Sequence, residues 1–163
     1  MEAYQDLQIL ADSSAQMDAY THANNASLFY GDGVLKAFNT LTRTVDVIIG
    51  KNAYLFADFG TLTVKASAGQ ADRIETRADG SGGALLDFGE VEIKTSVTSD
   101  ATVTLKTGAS MKNVFGTIDI QALSGCENIK TRGEFAGAGF ASEPRTRSYI
   151  TTLNQSLRKF IPP

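Results

Sequence analysis

A single histidine and a single cysteine set tight bounds on the chemistry open to this chain. His22, with Tyr20, Thr21 and Asn24 beside it, cannot assemble a histidine-dependent triad or a multi-histidine metal site, and reads as a surface or turn residue. Cys126 excludes an internal disulfide and every cysteine-based metal cluster, and reads as a small turn or core residue. Carboxylates are plentiful. Asp46, Asp58, Glu75, Glu90 and Glu92 could face one another from neighbouring strands, as glycoside or uronide chemistry requires. Yet Thr102 and Val114 stand where a repeat would place Asp46 and Asp58 again, and no basic or aromatic cluster surrounds the acids in sequence. Gly31-Asp32-Gly33 and Asp79-Gly80-Ser81-Gly82-Gly83 offer hard oxygens of the kind calcium prefers, but a calcium β-roll needs its aspartates every nine residues or so, and simple glycine turns are expected. Gly80 to Gly83 lacks the lysine and hydroxyl residue of a phosphate loop. No catalytic, cofactor-binding or metal-ligating residue is therefore assigned, no cofactor is expected, and the chain reads as a non-enzyme.

The elements that would position any site announce themselves by repetition. Gly33 to Ala66 overlays Gly89 to Ala122 without a gap, at a spacing of 56. Eight positions are identical: Gly33/Gly89, Thr42/Thr98, Val47/Val103, Ala53/Ala109, Phe59/Phe115, Gly60/Gly116, Thr61/Thr117 and Ala66/Ala122. Leu35/Val91, Leu41/Val97, Ile49/Leu105, Leu55/Met111, Leu62/Ile118 and Val64/Ile120 keep an aliphatic side chain, as repeated strands facing a common core demand. Leu7, Ile9 and Ala11 anticipate Leu62, Val64 and Ala66, while Tyr149, Thr151 and Leu153 are expected to continue Ile93, Thr95 and Val97. The expectation is an all-β parallel β-helix, or β-solenoid, with a repeat of about 56 residues, forming one segment over 1–163: a partial repeat 1–30, repeats 31–88 and 89–144, and a degenerate partial repeat 145–163. It reads as a piece of a longer protein.

Composition agrees. The chain has 163 residues, 42% hydrophobic and 20% charged, enough to bury a substantial core, and its Thr, Val, Ala and Gly content with three prolines suits strands joined by tight turns. No apolar run approaches the ~20 residues of a membrane-spanning helix, and the N-terminus has no basic segment followed by a hydrophobic one. The net charge of -3 is uneven, because Lys130, Arg132, Arg145, Arg147, Arg158 and Lys159 face only Glu134 and Glu143 from position 130 onward. That basic end could touch an acidic polysaccharide or membrane surface, although it lacks the interleaved aromatics of a nucleic-acid platform, and a solvated surface is the plainer reading.

Turn residues divide the repeat into Val34–Thr42, Thr44–Ile49, Ala53–Ala57, Thr61–Ala66, Asp72–Ala78 and Ala84–Phe88, separated at Gly50-Lys51-Asn52, Asp58-Phe59-Gly60 and Ala78–Gly83. Six such strands would make two three-sided coils per repeat, with three shorter two-sided coils as the other arrangement. Alternation points Val47, Ile49, Ala53, Leu55, Ala57, Leu62, Val64 and Ala66 inward, with Val103, Leu105, Ala109, Met111, Ile118, Ile120 and Ala122 in the next repeat, and turns Thr63, Lys65, Asp119 and Gln121 to solvent. Asn113, at the position of Ala57, is expected in a turn. Thr40, Thr42 and Thr44 with Ser96 and Thr98 could form a flat ice-binding face, although Thr44 becomes Asp100. Open first and last coils predict end-to-end association.

The run Asn52-Ala-Tyr-Leu-Phe-Ala-Asp-Phe-Gly-Thr-Leu-Thr-Val-Lys-Ala66, repeated at Gly108 to Ala122, resembles the repeats of filamentous haemagglutinin-type adhesins, in which an Ala-x-Leu-x-Ala strand passes a glycine turn into Leu-x-Val-x-Ala. Gly82, Gly83, the Thr-rich strand and Val47 to Ala53 are similar to the leukotoxin-type filamentous adhesins of anaerobic bacteria. The resemblance implies a right-handed parallel β-helix, secreted and displayed at the bacterial cell surface as a stiff rod for cell adhesion. Its partners would be neighbouring rungs of the same longer chain and host-surface or polysaccharide ligands, with no nucleic acid and no transmembrane segment. The alternative is a polysaccharide-active β-helix enzyme or tailspike-like depolymerase, which would show a concave groove of acids, bases and aromatics on one lateral face.

Overall fold

A computed structural model describes residues 1–138, 141–142 and 145–160, the side chains of 25, 26, 87, 88, 141, 142, 159 and 160 excepted. Glu143 and the side chains of Phe88 and Lys159, all used in reading the sequence, lie outside the described residues. Among the described residues the chain is all-β, 82% strand with no helix, and its sheets are parallel. Sheet A contains β1 (Glu2–Ala3), β2 (Leu7–Ser13), β5 (Tyr54–Ala68) and β8 (Ser110–Ser124). Sheet B contains β3 (Gln16–Ala26), β6 (Arg73–Gly83) and β9 (Ile129–Ala138), and sheet C contains β4 (Tyr30–Ile49), β7 (Leu86–Leu105), β10 (Ala141–Ser142) and β11 (Arg145–Phe160). The chain thus visits A, B and C in the same order three times, an arrangement consistent with a β-solenoid-like fold.

Ladder registers follow the sequence repeat over its best-matched part. Gly33 pairs Gly89, Thr42 pairs Thr98 and Val47 pairs Val103 in sheet C, while Phe59 pairs Phe115 and Leu62 pairs Ile118 in sheet A. Leu7, Ile9 and Ala11 pair Leu62, Val64 and Ala66. The expectation of two coils per repeat is corrected: among the described residues no strand pairs with another half a repeat away. Val34–Thr42 and Thr44–Ile49 fuse into β4, and Ala53–Ala57 and Thr61–Ala66 into β5, because Arg43 continues the alternation of β4 and Asp58 to Gly60 bend β5 without ending it. In β5 the inward parity changes from Leu55 and Ala57 to Leu62 and Val64, and Gly60 sits at φ +81°, where only glycine is unstrained. Asp6 accepts the Thr61 N–H at 2.6 Å across this bend.

The long strands of sheet C explain how the interior is filled. Their C-terminal halves face sheet A: Val45, Val47, Ile49, Ala101 and Val103 pack with Leu7, Leu55, Ala57, Leu62, Val64 and Ala66. Their N-terminal halves face sheet B, where Ala37, Val91 and Ile93 meet Ala78, with Leu35 and Phe135 alongside. Inward parity for the aliphatics read from sequence holds, with Ala53, Leu105, Ala109, Met111 and Ile120 partly buried beside the core, but Ile118 stays exposed on the last strand of sheet A. Thr63, Lys65, Asp119 and Gln121 lie on the outer face, half-buried.

Between the two apolar halves runs a polar seam. Asn39 donates to Thr76 Oγ1 at 3.0 Å and to the Glu75 carbonyl at 3.2 Å, and the Thr76 and Thr95 hydroxyls meet at 2.7 Å, all buried or nearly so. Each of these side chains has a partner across the two sheets, so the seam ties B to C.

Three local expectations change. Gly31–Gly33 and Asp79–Gly83 lie within β4 and β6 and are not turns. Glycine is needed at Gly80 because a Cβ there would stand 2.5 Å from Leu35 Cδ1 and 2.6 Å from the ring of Phe135, the large inward side chain of the next strand. Asn113 belongs to β8, not to a turn, and its amide donates to the Gly60 carbonyl at 3.1 Å and the Thr117 carbonyl at 2.9 Å. Finally, β11 pairs β7 at a spacing of 55: Ser148, Ile150 and Thr152 stand over Ile93, Thr95 and Val97, where Tyr149, Thr151 and Leu153 were expected. The Gly50-Lys51-Asn52 turn is where the sequence places it, with Asn52 at φ +58° and its counterpart Gly108 at +75°.

Candidate functional site

The outer face of sheet B brings acids, bases, a histidine and a tyrosine together on one surface. Every second residue points out, so the strands form a grid: Gln16 and Arg73; Asp18, Glu75 and Lys130; Tyr20, Arg77 and Arg132; His22, Asp79 and Glu134. Each row runs along the stacking direction. The Arg77 guanidinium lies 5.6 Å from the centre of the Tyr20 ring, and His22 lies 6.3 Å from it and near-parallel. Arg77 pairs Asp79 at 2.6 Å, and Arg132 pairs Glu134. The Arg77 hydrogen bond holds the Asp79 carboxyl below the usual carboxylate range, against its partial desolvation and with help from the Tyr20 hydroxyl.

Two shallow hollows open on this face. One, of about 310 Å³, is bordered by Asp18, Ala19, Tyr20, Arg73, Glu75 and Arg77; the other, of about 330 Å³, by Arg73, Ile74, Glu75, Asn128 and Lys130. Arg73 and Glu75 form the wall they share. Like charges stand directly opposite across the strands here, Asp18 beside Glu75, Arg77 beside Arg132 and Asp79 beside Glu134, an arrangement that costs stability. Sheet C does the reverse. There Lys36 pairs Glu92 and Arg147 pairs Glu90, each at 3.2 Å and each across neighbouring strands. Ion pairs thus run between strands on the outer face of C and along single strands on that of B.

No known protein family, characterised protein or solved structure matches this chain.

The acids read from the sequence do not converge. Glu90 and Glu92 are neutralised by Arg147 and Lys36, Asp46 is exposed on β4 opposite Thr102, and Asp58 borders a dip with Glu2, Tyr4 and Phe56. Of these acids Glu75 reaches the face of sheet B, and His22 joins it as an exposed residue of β3. The basic end divides: Lys130 and Arg132 lie on sheet B, Arg145 and Arg147 on the outside of β11, and Arg158 over Val103. The threonine rows pair as Thr40 with Ser96, Thr42 with Thr98 and Thr44 with Asp100. Among the described residues no group of three or more His, Cys, Asp or Glu stands close enough to hold a metal ion, and no helix is long and apolar enough to cross a membrane.

A buried ion pair went unread in the sequence. Arg43, midway along β4, reaches Asp72 at the corner between sheets A and B, with Nη1 to Oδ1 at 2.6 Å and Nη2 on Oδ2. Arg43 also donates to Ser99 Oγ at 3.0 Å, and Asp72 accepts the Ala15 N–H at 2.8 Å. The Asp72 hydrogen bond raises the Arg43 guanidinium further above its ordinary value. Burial works to raise the Asp72 carboxyl, but Arg43, the Ala15 N–H and the Cys126 thiol outweigh it and hold it low. Burial and the neighbouring Asp72 push the Cys126 thiol up to about 12, so it is a poor nucleophile. The cluster is a strut: it ties the A–B corner to the middle of C. Parity carried the signal, since Arg43 falls in step with Val45 and Val47, and Asp72 with Ile74.

Proposed function

We propose that this chain is a non-catalytic structural and adhesive segment of a large, secreted or surface-displayed bacterial filamentous adhesin, a β-solenoid rod built on the repeat that relates Gly33–Ala66 to Gly89–Ala122. One observation carries the reading: side chains of successive passes through sheet A meet in register on both faces. Outside, Tyr4 meets Phe59 at 5.3 Å and Phe59 meets Phe115 at 5.1 Å; inside, Leu62 lies between Leu7 and Ile118. Such stacking makes each strand the template of the next, which is the mechanical requirement of a rod. The resemblance of Asn52 to Ala66 to filamentous haemagglutinin-type repeats supplies the adhesive part. Contact with a host surface or polysaccharide falls to the outer face of sheet B, around Arg73, Glu75 and Lys130. Beads coated with the purified chain should be retained on polysaccharide-coated or host-cell surfaces under flow, and Arg73→Ala with Lys130→Ala should release them. Retention no greater than that of uncoated beads would refute adhesion.

A second reading draws on the same face, where Asp18 and Glu75 stand side by side next to Tyr20 and Arg73 as a pair of acids in a polysaccharide-active enzyme would. It predicts release of reducing or unsaturated ends from polysaccharides, abolished by Glu75→Gln. No release across neutral and acidic polysaccharides would dispose of it.

A further inference from the structure

The two hollows on the outer face of sheet B are successive in the stack. The first lies in the groove between β3 and β6, with Asp18 and Tyr20 on one side and Arg73, Glu75 and Arg77 on the other. The second lies in the groove between β6 and β9, bordered by Arg73, Glu75, Asn128 and Lys130. They are therefore offset along the stack by one strand spacing, about 4.8 Å. An extended chain of pyranose sugars advances by nearly the same distance per sugar. Laid across the strands, such a chain seats consecutive sugars in consecutive grooves, and shallow hollows of this kind suit the interior of a chain better than its end.

The two hollows differ in charge. Among the described residues Arg73 and Lys130 take part in no ion pair, although Lys130 stands directly opposite Glu75. The second hollow thus holds two uncommitted cations and one carboxylate. In the first, Arg77 is already held by Asp79 and lies against the Tyr20 ring, so Asp18 and Glu75 are answered only by Arg73. An anion is favoured between Arg73 and Lys130, where both cations can donate to it. One groove away an anion meets Asp18 and Glu75 and is repelled, whereas a hydroxyl can donate to either acid. The Tyr20 ring, 61% exposed, gives this side an apolar wall. We propose, resting on the reading of this face as a polysaccharide contact, that it selects a chain in which acidic and neutral sugars alternate. The carboxylate of a uronic acid sits between Arg73 and Lys130, and the neutral sugar beside it lies against Tyr20 and donates its hydroxyls to Asp18 and Glu75. A chain charged on every sugar, or sulfated, sets an anion against those two acids. A neutral chain leaves Arg73 and Lys130 unanswered.

The test is binding of matched-length oligosaccharides to the immobilised full chain. Hyaluronan, which alternates glucuronate with a neutral amino sugar and has no sulfate, should bind more tightly than polygalacturonate, heparin or dextran. Reducing its carboxylates to alcohols changes the ligand and leaves the protein untouched, and should weaken binding at least about tenfold, as should Arg73→Ala with Lys130→Ala. Tyr20→Ala should weaken hyaluronan and its reduced form by the same factor, because it acts on the neutral sugar. Lys112→Ala, which removes an exposed cation from sheet A, should change nothing. Equal binding of the reduced form, tighter binding of heparin or polygalacturonate, or a loss with Lys112→Ala as large as with the double variant would each overturn the alternating pattern. Any of these would leave the polysaccharide contact itself standing. Binding to none of the oligosaccharides, reduced or charged, would overturn both.

Discussion

Replacing Asp72 by Asn tests whether the strut between the A–B corner and sheet C holds the fold together. The substitution keeps the shape and leaves the Arg43 guanidinium buried without its counter-charge, its side chain only 7% exposed. Breaking a buried pair from one side costs about 3–5 kcal/mol, a large share of the ~5–15 kcal/mol that holds a domain together. At about 2–4 °C per kcal/mol for a chain of this size, the melting temperature should fall by about 6–20 °C, read by circular dichroism at neutral pH. The double variant Arg43→Met, Asp72→Leu should recover most of the loss, because the desolvation cost disappears with the charges. The acid limb gives a second readout. Asp72 is held below its unfolded value, so its contribution is complete above about pH 4 and fades as the pH falls through the lower folded value. Asp72→Asn should therefore be least damaging, relative to the wild type, in strong acid. A melting-temperature change within ~1 °C at neutral pH, or a double variant as unstable as the single losses combined, would refute the reasoning.

Further outcomes follow from other parts of the molecule. Cys126 should react with iodoacetamide far more slowly than a free thiol at pH 8; because its folded value of about 12 lies above the unfolded one, its contribution to stability should persist below about pH 9 and be lost as the pH rises toward 12, an alkaline loss that Cys126→Ser removes in urea titrations. Phe59→Ala deletes both ring contacts of the Tyr4–Phe59–Phe115 stack and should cost about 1–3 kcal/mol, more than Phe115→Ala, which deletes one; equal losses would mean that the stack contributes nothing. Gly80→Ala drives a methyl group against Leu35 and the Phe135 ring and should destabilise the chain by about 1–3 kcal/mol, with partial rescue by Phe135→Leu in the same background.

Much of the fold could be read directly, and the reasons for the rest are physical. Gly33 to Ala66 and Leu7 to Ala11 found their partners because runs of alternating buried aliphatics leave the register no freedom. The size of one pass was misread because alternation continues through Arg43 and resumes beyond Gly60, and a period of two cannot say whether adjacent segments are one strand or two. Arg43, Asp72, Asn39 and Thr76 were missed because a polar group satisfied by a different sheet leaves no local trace in its own segment. The face of sheet B was hidden for a different reason. Its ladders join Tyr20 to Arg77 and Arg77 to Arg132, one step longer and one step shorter than the repeat, so a search at one fixed period never aligns the three.

The passage through three sheets also fixes how such a chain converts residues into extent. Neighbouring strands in a sheet stand about 4.8 Å apart, so each full pass through A, B and C advances the stack by only that spacing, and a reach of about 100 Å consumes on the order of 1,200 residues. What the chain gains is girth. Bending resistance of a beam grows with the fourth power of its width, so a given number of residues wound into broad passes makes a shorter but far less pliant body than the same number wound into narrow ones. A protein built this way trades span for resistance to lateral load.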